Sequence, residues 1–248
     1  MGPVDDDRFE RPLLCLHGFT HTGAQFNHLS THLNRPIVAP DLHVQTDSPI
    51  QIDSTLMAIE DIINLVGQPL AVLGYSMGGR LALSLSIERP DLVERVIVVS
   101  AGPGIADPSE RAARAAADDR LADRIVQIGV SAFLDDWLRR PLTSTASLDD
   151  EAAIVDRAVR EENPAAGLAA ALRGLGQGAY PYLGDRLGDL AMPLLAVSGA
   201  EDERYSEQAE ALAAAVPDGR HMAIDRVGHN VVLQAPGELG AAVEEFLA

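Results

Sequence analysis

Cysteine is almost absent from this sequence, because Cys15 is the only one in 248 residues. An internal disulfide is therefore excluded, and such low cysteine use is typical of proteins from reducing compartments. Because Cys15 lies within the apolar run 13–16, the sequence predicts a buried structural thiol rather than a reactive one.

Basic residues and long apolar runs are also scarce. Lysine and arginine together number 19 against 37 acidic residues, which gives a formal net charge of -18. Because clustered basic residues are lacking, we expect neither nucleic acid nor an anionic membrane as a partner. No apolar run approaches the ~18 residues of a membrane span, and segment 1–10 lacks the features of a signal peptide. We expect a soluble, cytoplasmic protein that acts as a monomer.

Short apolar runs alternate with segments of helical periodicity in both end regions of the chain. This alternation favours an α/β fold with a mostly parallel, doubly wound sheet. Strands are predicted at 12–17, 36–39, 70–73, 93–100, 193–198 and 221–225, and helices at 24–33, 52–66, 81–89, 206–216 and 236–247.

The middle of the chain has a different pattern. Between 105 and 185 no strand pattern is found, and Ala, Leu, Arg, Asp and Glu dominate. We expect a helical cap at 105–185, inserted into one core formed by 1–104 and 186–248. Open α/β sheets bind ligands outside the carboxyl ends of their strands, so an insertion there would cover the ligand and select it.

The most informative segment is 74–80, Gly-Tyr-Ser-Met-Gly-Gly-Arg. It contains Gly74-x-Ser76-x-Gly78, a pattern that allows a strained turn and raises the serine oxygen clear of the sheet. Glycine and serine also fill ordinary turns, so the pattern alone is weak. Its position between a predicted buried strand and a predicted helix favours a nucleophile elbow.

A serine hydroxyl needs a neighbouring base, and the base needs an orienting carboxylate. In a fold with this elbow the expected chain order is serine, acid, histidine. Asp202 and His229 each follow a predicted strand, so both can meet Ser76 above the sheet. Glu201 and Glu203 remain alternatives for the acid.

The other histidines are weaker candidates for the base. They are His17, His21, His28, His32, His43 and His221. His17 belongs to a His-Gly turn, where a structural role is favoured over acid-base work. His28 and His32 have a spacing that can hold a metal, but no third ligand accompanies them, so we expect no metal.

Two backbone N–H groups are predicted to form an oxyanion hole. One belongs to Met77, the residue after the serine, and the other to Phe19, in the loop after the first strand.

Arg80 lies four residues after Ser76, about one helical turn at ~3.6 residues per turn. Its guanidinium can therefore face the serine and bind a carboxylate. The alternative is an ordinary arginine on a helix surface.

With these positions assigned, the chain resembles the α/β-hydrolase superfamily from Leu16 to its closing helix. Within it, segment 74–80 is similar to the elbow of the 2-succinyl-6-hydroxy-2,4-cyclohexadiene-1-carboxylate synthases (MenH) of menaquinone, vitamin K2, biosynthesis. Further similar segments are 103–105, 110–114, Asp136-Trp137 before Pro141, Arg160 before Asn163, and 202–205.

The resemblance implies a lyase. Members of that family eliminate pyruvate from 2-succinyl-5-enolpyruvyl-6-hydroxy-3-cyclohexene-1-carboxylate without water as a reactant. It implies that Ser76, activated by His229, abstracts a ring proton, and that arginines hold the carboxylates of the substrate. The implied substrate-binding residues are Arg80, Arg114, Arg160, Tyr75 and Trp137. No cofactor is expected.

Two observations weigh against a complete match. On sequence pattern alone, Arg114 and Arg160 lie among charged helix residues and are expected to be solvated. The loop 40–48 lacks the glycine-rich turn that often follows this strand in the superfamily. The alternatives are a hydrolase of esters or carbon-carbon bonds that uses the same triad, and a non-catalytic ligand-binding module.

Overall fold

The computed structural model describes residues 11–42, 50–143 and 148–248. Its strands are β1 (Leu13–Leu16), β2 (Ile37–Val38), β3 (Leu70–Tyr75), β4 (Val93–Val99), β5 (Leu194–Gly199) and β6 (Gly219–Ile224). These six strands form one sheet in the order β2-β1-β3-β4-β5-β6, and every neighbouring pair is parallel. The predicted α/β architecture with its parallel sheet is confirmed.

Helices cover both faces of this sheet and form the inserted segment. They are α1 (Asn27–Ser30), α2 (Ile52–Val66), α3 (Met77–Glu88), α4 (Pro108–Ile128), α5 (Val130–Trp137), α6 (Asp150–Glu161), α7 (Ala165–Leu175), α8 (Glu203–Ala215), α9 (Val231–Gln234) and α10 (Pro236–Leu247). Short 3-10 turns occupy Gly23–Phe26, Pro141–Thr143 and Gly184–Asp189. Among the described residues, no helix is both long and apolar enough to cross a bilayer.

The apolar runs in the strands are continuous because both faces of the sheet are covered. In β1, Leu14 and Leu16 join one hydrophobic cluster, whereas Leu13 and Cys15 join the cluster on the other face. The side chains of β1 therefore alternate between the two faces of the sheet with the period of two expected for a strand. The thiol of Cys15 is completely buried, and this burial raises its pKa well above the usual range.

One predicted helix is shorter in the structure. Instead of a helix over 24–33, the chain forms a 3-10 turn at Gly23–Phe26 and a single helical turn, α1. The Thr22 side chain accepts a hydrogen bond from Ala24 N and fixes where the turn begins. After α1 the chain must reverse promptly to enter β2, whose residue Ile37 pairs with Leu13.

Helices α4 to α7, which we call the cap, lie between β4 and β5 in the chain. Ala122, Ile125, Phe133, Leu134 and Leu168 belong to a small hydrophobic cluster of their own. The described residues of this segment contain no strand. The exact boundaries, 105 and 185, stay a prediction.

The strand order places a topological switch between β1 and β3. From β1 the chain moves to β2 on one side, whereas β3 pairs on the opposite side of β1. A crevice opens outside the carboxyl ends of strands at such a point. Residues 17–19 follow β1 and Ser76 follows β3, so both segments lie at this crevice.

Candidate active site

The serine turn has the tight geometry that its glycines suggest. Ser76 has φ 53° and ψ -107°, in the positive-φ region that residues other than glycine rarely adopt. A Cβ atom on Gly74 would lie 2.2 Å from the Gly78 carbonyl oxygen, and one on Gly78 would lie 2.0 Å from the Leu16 carbonyl oxygen. Glycine is therefore required at both positions because backbone approaches too closely for any side chain.

The structure brings the three predicted triad side chains together. His229 Nε2 lies 3.1 Å from Ser76 Oγ, and His229 Nδ1 lies 2.7 Å from Asp202 Oδ2. With its proton on Nδ1, the imidazole donates to the carboxylate and accepts from the serine hydroxyl, which is the arrangement a general base needs. The ring of Tyr205 packs against the imidazole, with 4.6 Å between centroids.

The predicted oxyanion donors lie at the same site. Met77 is the first residue of α3, so its N–H has no partner within the helix and sits at the positive end of the helix dipole. Phe19 follows β1, and both residues line the cavity above Ser76. Their use as donors stays a prediction.

Arg80 also lines this cavity and is 5% exposed. Its Nη2 donates to the Leu175 carbonyl at 2.9 Å, and its guanidinium lies 5.4 Å from the ring centroid of Tyr180. Its Nε is buried without a hydrogen-bond partner, and no described carboxylate lies within ion-pair distance of the guanidinium. Burial lowers the pKa of Arg80, as expected for a desolvated cation.

The two cap arginines have acidic partners, unlike Arg80. Arg114 Nε donates to Asp118 at 2.8 Å, and Arg160 Nε donates to Asp156 at 2.7 Å. The Arg160 side chain is 2% exposed, so the expectation from sequence pattern that it is solvated is wrong. The Arg114 side chain is 38% exposed and agrees better with that expectation.

The remaining predicted binding residues form an aromatic wall. Trp137 packs edge-on against Phe19, with 5.4 Å between centroids, and its Nε1 is buried without a hydrogen-bond partner. Tyr75 is 4% exposed and lies between the rings of His21 and His229. Burial raises the pKa of Tyr75, so its hydroxyl stays protonated.

His17 has the structural role that its turn indicates. Its Nδ1 donates to the Gly18 carbonyl at 2.8 Å, and its Nε2 accepts from Leu42 N at 2.8 Å. Burial lowers the pKa of His17 to about 3, so the ring is neutral.

Among the residues that the structure describes, no group of three or more His, Cys, Asp or Glu side chains could hold a metal. The atypical loop lies largely in 43–49, outside the described residues.

Sequence reasoning missed a buried charged cluster beside the cavity. His21 Nε2 lies 3.3 Å from Asp156 Oδ1, on the carboxylate that also binds Arg160. Burial alone would raise the pKa of Asp156, but the contacts with His21 and Arg160 outweigh it and lower that pKa below its usual value. The only sequence signal was the spacing of Asp156 and Arg160, which puts the two side chains on one helix face.

A parallel sheet with a serine elbow at its switch point, and with histidine and aspartate loops above it, defines the class of α/β hydrolases. The alpha/beta hydrolase family model matches residues 13–242. A Bacillus subtilis (strain 168) protein, provisionally named a 2-succinyl-6-hydroxy-2,4-cyclohexadiene-1-carboxylate synthase, is 32% identical over 95% of this chain and 89% of its own length. The chain therefore belongs to the α/β-hydrolase family and, within it, to the family of these synthases.

Two further relatives agree with this placement. The synthase of Serratia proteamaculans (strain 568) is 28% identical over 96% of this chain and 94% of its own. The solved structure of MenH from S. aureus superposes with a TM-score of 0.89 at 26% identity, and the match covers 96% of this chain and 93% of that one.

Proposed function

We propose that this protein is a carbon-oxygen lyase of menaquinone biosynthesis. It eliminates pyruvate from 2-succinyl-5-enolpyruvyl-6-hydroxy-3-cyclohexene-1-carboxylate and leaves 2-succinyl-6-hydroxy-2,4-cyclohexadiene-1-carboxylate. Its relationship to the synthases supports this reaction, and a cytoplasmic monomer with a helical cap at 105–185 remains part of the proposal.

The observation that carries the proposal is the unpaired Arg80 guanidinium in the serine cavity. A buried cation without an anionic partner is costly, so such groups are normally paired or bind a ligand. The guanidinium presents a planar set of donors that matches a carboxylate. A carboxylated substrate would supply the missing negative charge, whereas a simple neutral ester would leave Arg80 unpaired.

The triad can perform the elimination without forming an acyl intermediate. His229 Nε2 takes the proton of the Ser76 hydroxyl, and the serine oxygen takes the proton from ring carbon 2. The electrons of that C–H bond form the new bond between carbons 2 and 3, and the existing double bond moves to carbons 4 and 5. The bond between carbon 5 and oxygen breaks, and the departing enolate gains a proton to become pyruvate, balanced by the proton that His229 gives up as it returns to its neutral form.

Carbon 2 carries the succinyl ketone, which makes its proton acidic. The negative charge that develops is shared with the ketone oxygen, and N–H donors placed around that oxygen stabilise it. In this proposal the donors are the backbone N–H groups of Phe19 and Met77. Removal of one such donor costs about 3 kcal/mol in other enzymes.

The substrate has three carboxylates, and four arginines line the cavity: Arg80, Arg114, Arg160 and Arg204. We assign Arg80, Arg114 and Arg160 to carboxylate binding, with Tyr75 and Trp137 as walls and Trp137 Nε1 as a donor. The net charge of -18 does not prevent this, because screening acts over ~8 Å at physiological salt while these contacts act at ~3 Å.

The test is release of pyruvate, measured with lactate dehydrogenase and NADH as the purified protein consumes the cyclohexene substrate. We expect turnover without added metal or cofactor. Absence of pyruvate together with rapid hydrolysis of aryl esters would overturn the lyase and favour a hydrolase that uses the same triad.

A further inference from the structure

The loop that carries Phe19 is strained at the following residue. Thr20 has φ 70°, and a β-branched residue in this region is a true conformational outlier. His21 N donates to the Gly18 carbonyl at 3.2 Å, so Thr20 occupies the third position of a turn. Glycine is the residue favoured at a positive-φ position of this kind. Some other interaction must therefore hold Thr20 in place.

The cap supplies two contacts to this residue. Asn163 Nδ2 donates to the Thr20 carbonyl at 2.9 Å, and Arg160 Nη1 donates to Thr20 Oγ1. All three residues are at least nine-tenths buried. Asn163 Nδ2 also lies 3.2 Å from the Arg160 carbonyl, so the same amide joins the end of α6 to the loop.

The core holds the other end of the loop. Gly18 N donates to Gln25 Oε1 at 3.3 Å, and Gln25 Nε2 donates to Asn230 Oδ1 at 3.3 Å. Asn230 is the neighbour of His229 in the chain. Phe19 is thus flanked by one residue tied to the triad loop and by one residue tied to the cap.

We infer that Asn163 and Arg160 are positioning residues that hold Thr20 in its strained conformation and so aim the Phe19 N–H at the oxyanion site. The cap then contributes to the chemical step as well as to substrate binding. This inference rests on the proposed roles of Ser76 and Phe19.

The test uses a probe that needs the serine and the oxyanion hole but not the synthase substrate. A p-nitrophenyl alkylphosphonate reacts when Ser76 Oγ forms a bond to phosphorus and p-nitrophenolate leaves, while the serine proton passes to His229. The phosphoryl oxygen then occupies the oxyanion position. The rate of p-nitrophenolate release, with intact mass of the labelled chain, measures how well that position is formed.

We expect Asn163→Ala to slow phosphonylation about 10- to 100-fold, because small displacements of catalytic groups cost that much. Asn163→Asp should lose as much, since a carboxylate of the same size cannot donate to the Thr20 carbonyl. The KM for the synthase substrate should change less than kcat. Thermal unfolding of each variant separates this effect from a failure to fold.

The matched control is Ser131→Ala, which removes the hydrogen bonds that this hydroxyl donates to Glu161 at 2.9 Å and accepts from Arg157 at 3.1 Å, both on α6, without touching Thr20. It should phosphonylate at the wild-type rate. In a Thr20→Gly background, where positive φ needs no support, Asn163→Ala should cost less than about twofold.

Folded Asn163→Ala protein that phosphonylates at the wild-type rate would overturn the inference. So would an equal loss in Ser131→Ala, or an undiminished cost of Asn163→Ala in the Thr20→Gly background. A wild-type chain that does not react at all has no oxyanion hole to position, which also overturns it. Slow phosphonylation of Asn163→Ala, with no pyruvate from the wild-type chain, would sustain this inference and reject the lyase.

Discussion

The core and the cap place arginines at one cavity in opposite ways. Arg80, which with Arg204 is one of two core arginines at the cavity, has no acidic partner among the described residues, whereas Arg114 and Arg160 each bind an aspartate four residues away on their own helix. A paired arginine is oriented before a ligand arrives, but its charge is largely neutralised. An unpaired one offers its full charge and lowers the stability of the empty protein. Arg80 in the core is therefore suited to attract a carboxylate of the ligand, whereas Arg114 and Arg160 in the cap are suited to orient one.

The largest expected effect comes from removing the hydroxyl of Ser76 in the core. Ser76→Ala should lower kcat for pyruvate release by about 10⁴-fold or more, because the oxygen that takes the ring proton is lost. Ser86→Ala, on helix α3 that follows Ser76, removes only a hydrogen bond to the Ala82 carbonyl and should retain activity. A Ser76→Ala protein with more than a tenth of wild-type activity would contradict the role of this serine.

Replacing Arg80 tests the cost of an unpaired charge. Arg80→Met should lower kcat/KM about 10²- to 10³-fold, because a desolvated charge contact to substrate is lost. It should also raise Tm, because a buried cation is replaced by an apolar side chain of similar length. Arg80→Lys should recover little activity, since lysine lacks the planar fork. A lower Tm for Arg80→Met would show that this cation stabilises the fold.

Arg160→Met should have the opposite effect on stability. It leaves Asp156 buried without its main cation, which should lower the free energy of unfolding by roughly 3 kcal/mol. Arg157→Met is the control on the same helix, because Arg157 makes exposed ion pairs that contribute below about 1 kcal/mol. Chemical denaturation of both variants measures this difference, and equal losses would contradict it.

Per pH unit, the smallest expected effect concerns the titration of His17 in the core. Burial lowers the pKa of His17 to about 3, so between pH 6.5 and 3 the unfolded chain binds a proton there that the folded chain does not. Stability from this residue therefore falls with decreasing pH, by up to about 1.4 kcal/mol per pH unit. His17→Asn should flatten the profile of unfolding free energy by roughly that slope. An unchanged slope would mean that His17 is protonated in the fold.

The core could be predicted closely because its signals are local. Helix α2 begins and ends where its periodicity indicates, and Gly67 after it adopts φ 79°. The elbow and the loops of Asp202 and His229 follow directly from strand ends. The first helix was too long in the prediction, because the need to turn into β2 cannot be seen in the residues 24–33 themselves.

The cap was predicted as helical, but its contacts were not. The contact of Asn163 with Thr20 joins residues 143 positions apart, and no local pattern indicates it. The same holds for His21 and Asp156, whose types are ordinary and whose partners are distant in the chain. Burial of Arg160 could not be seen from its charged helical surroundings, and only the family resemblance assigned it to the site.

The position of Cys15 has a practical consequence for following the cap. Its thiol is fully buried in the sheet, with a raised pKa, and should not react with maleimides in the folded protein. A second cysteine introduced at exposed Ile154 on α6 would therefore be labelled alone. A fluorophore there would report movement of this helix as substrate enters, without first removing the native thiol from the core.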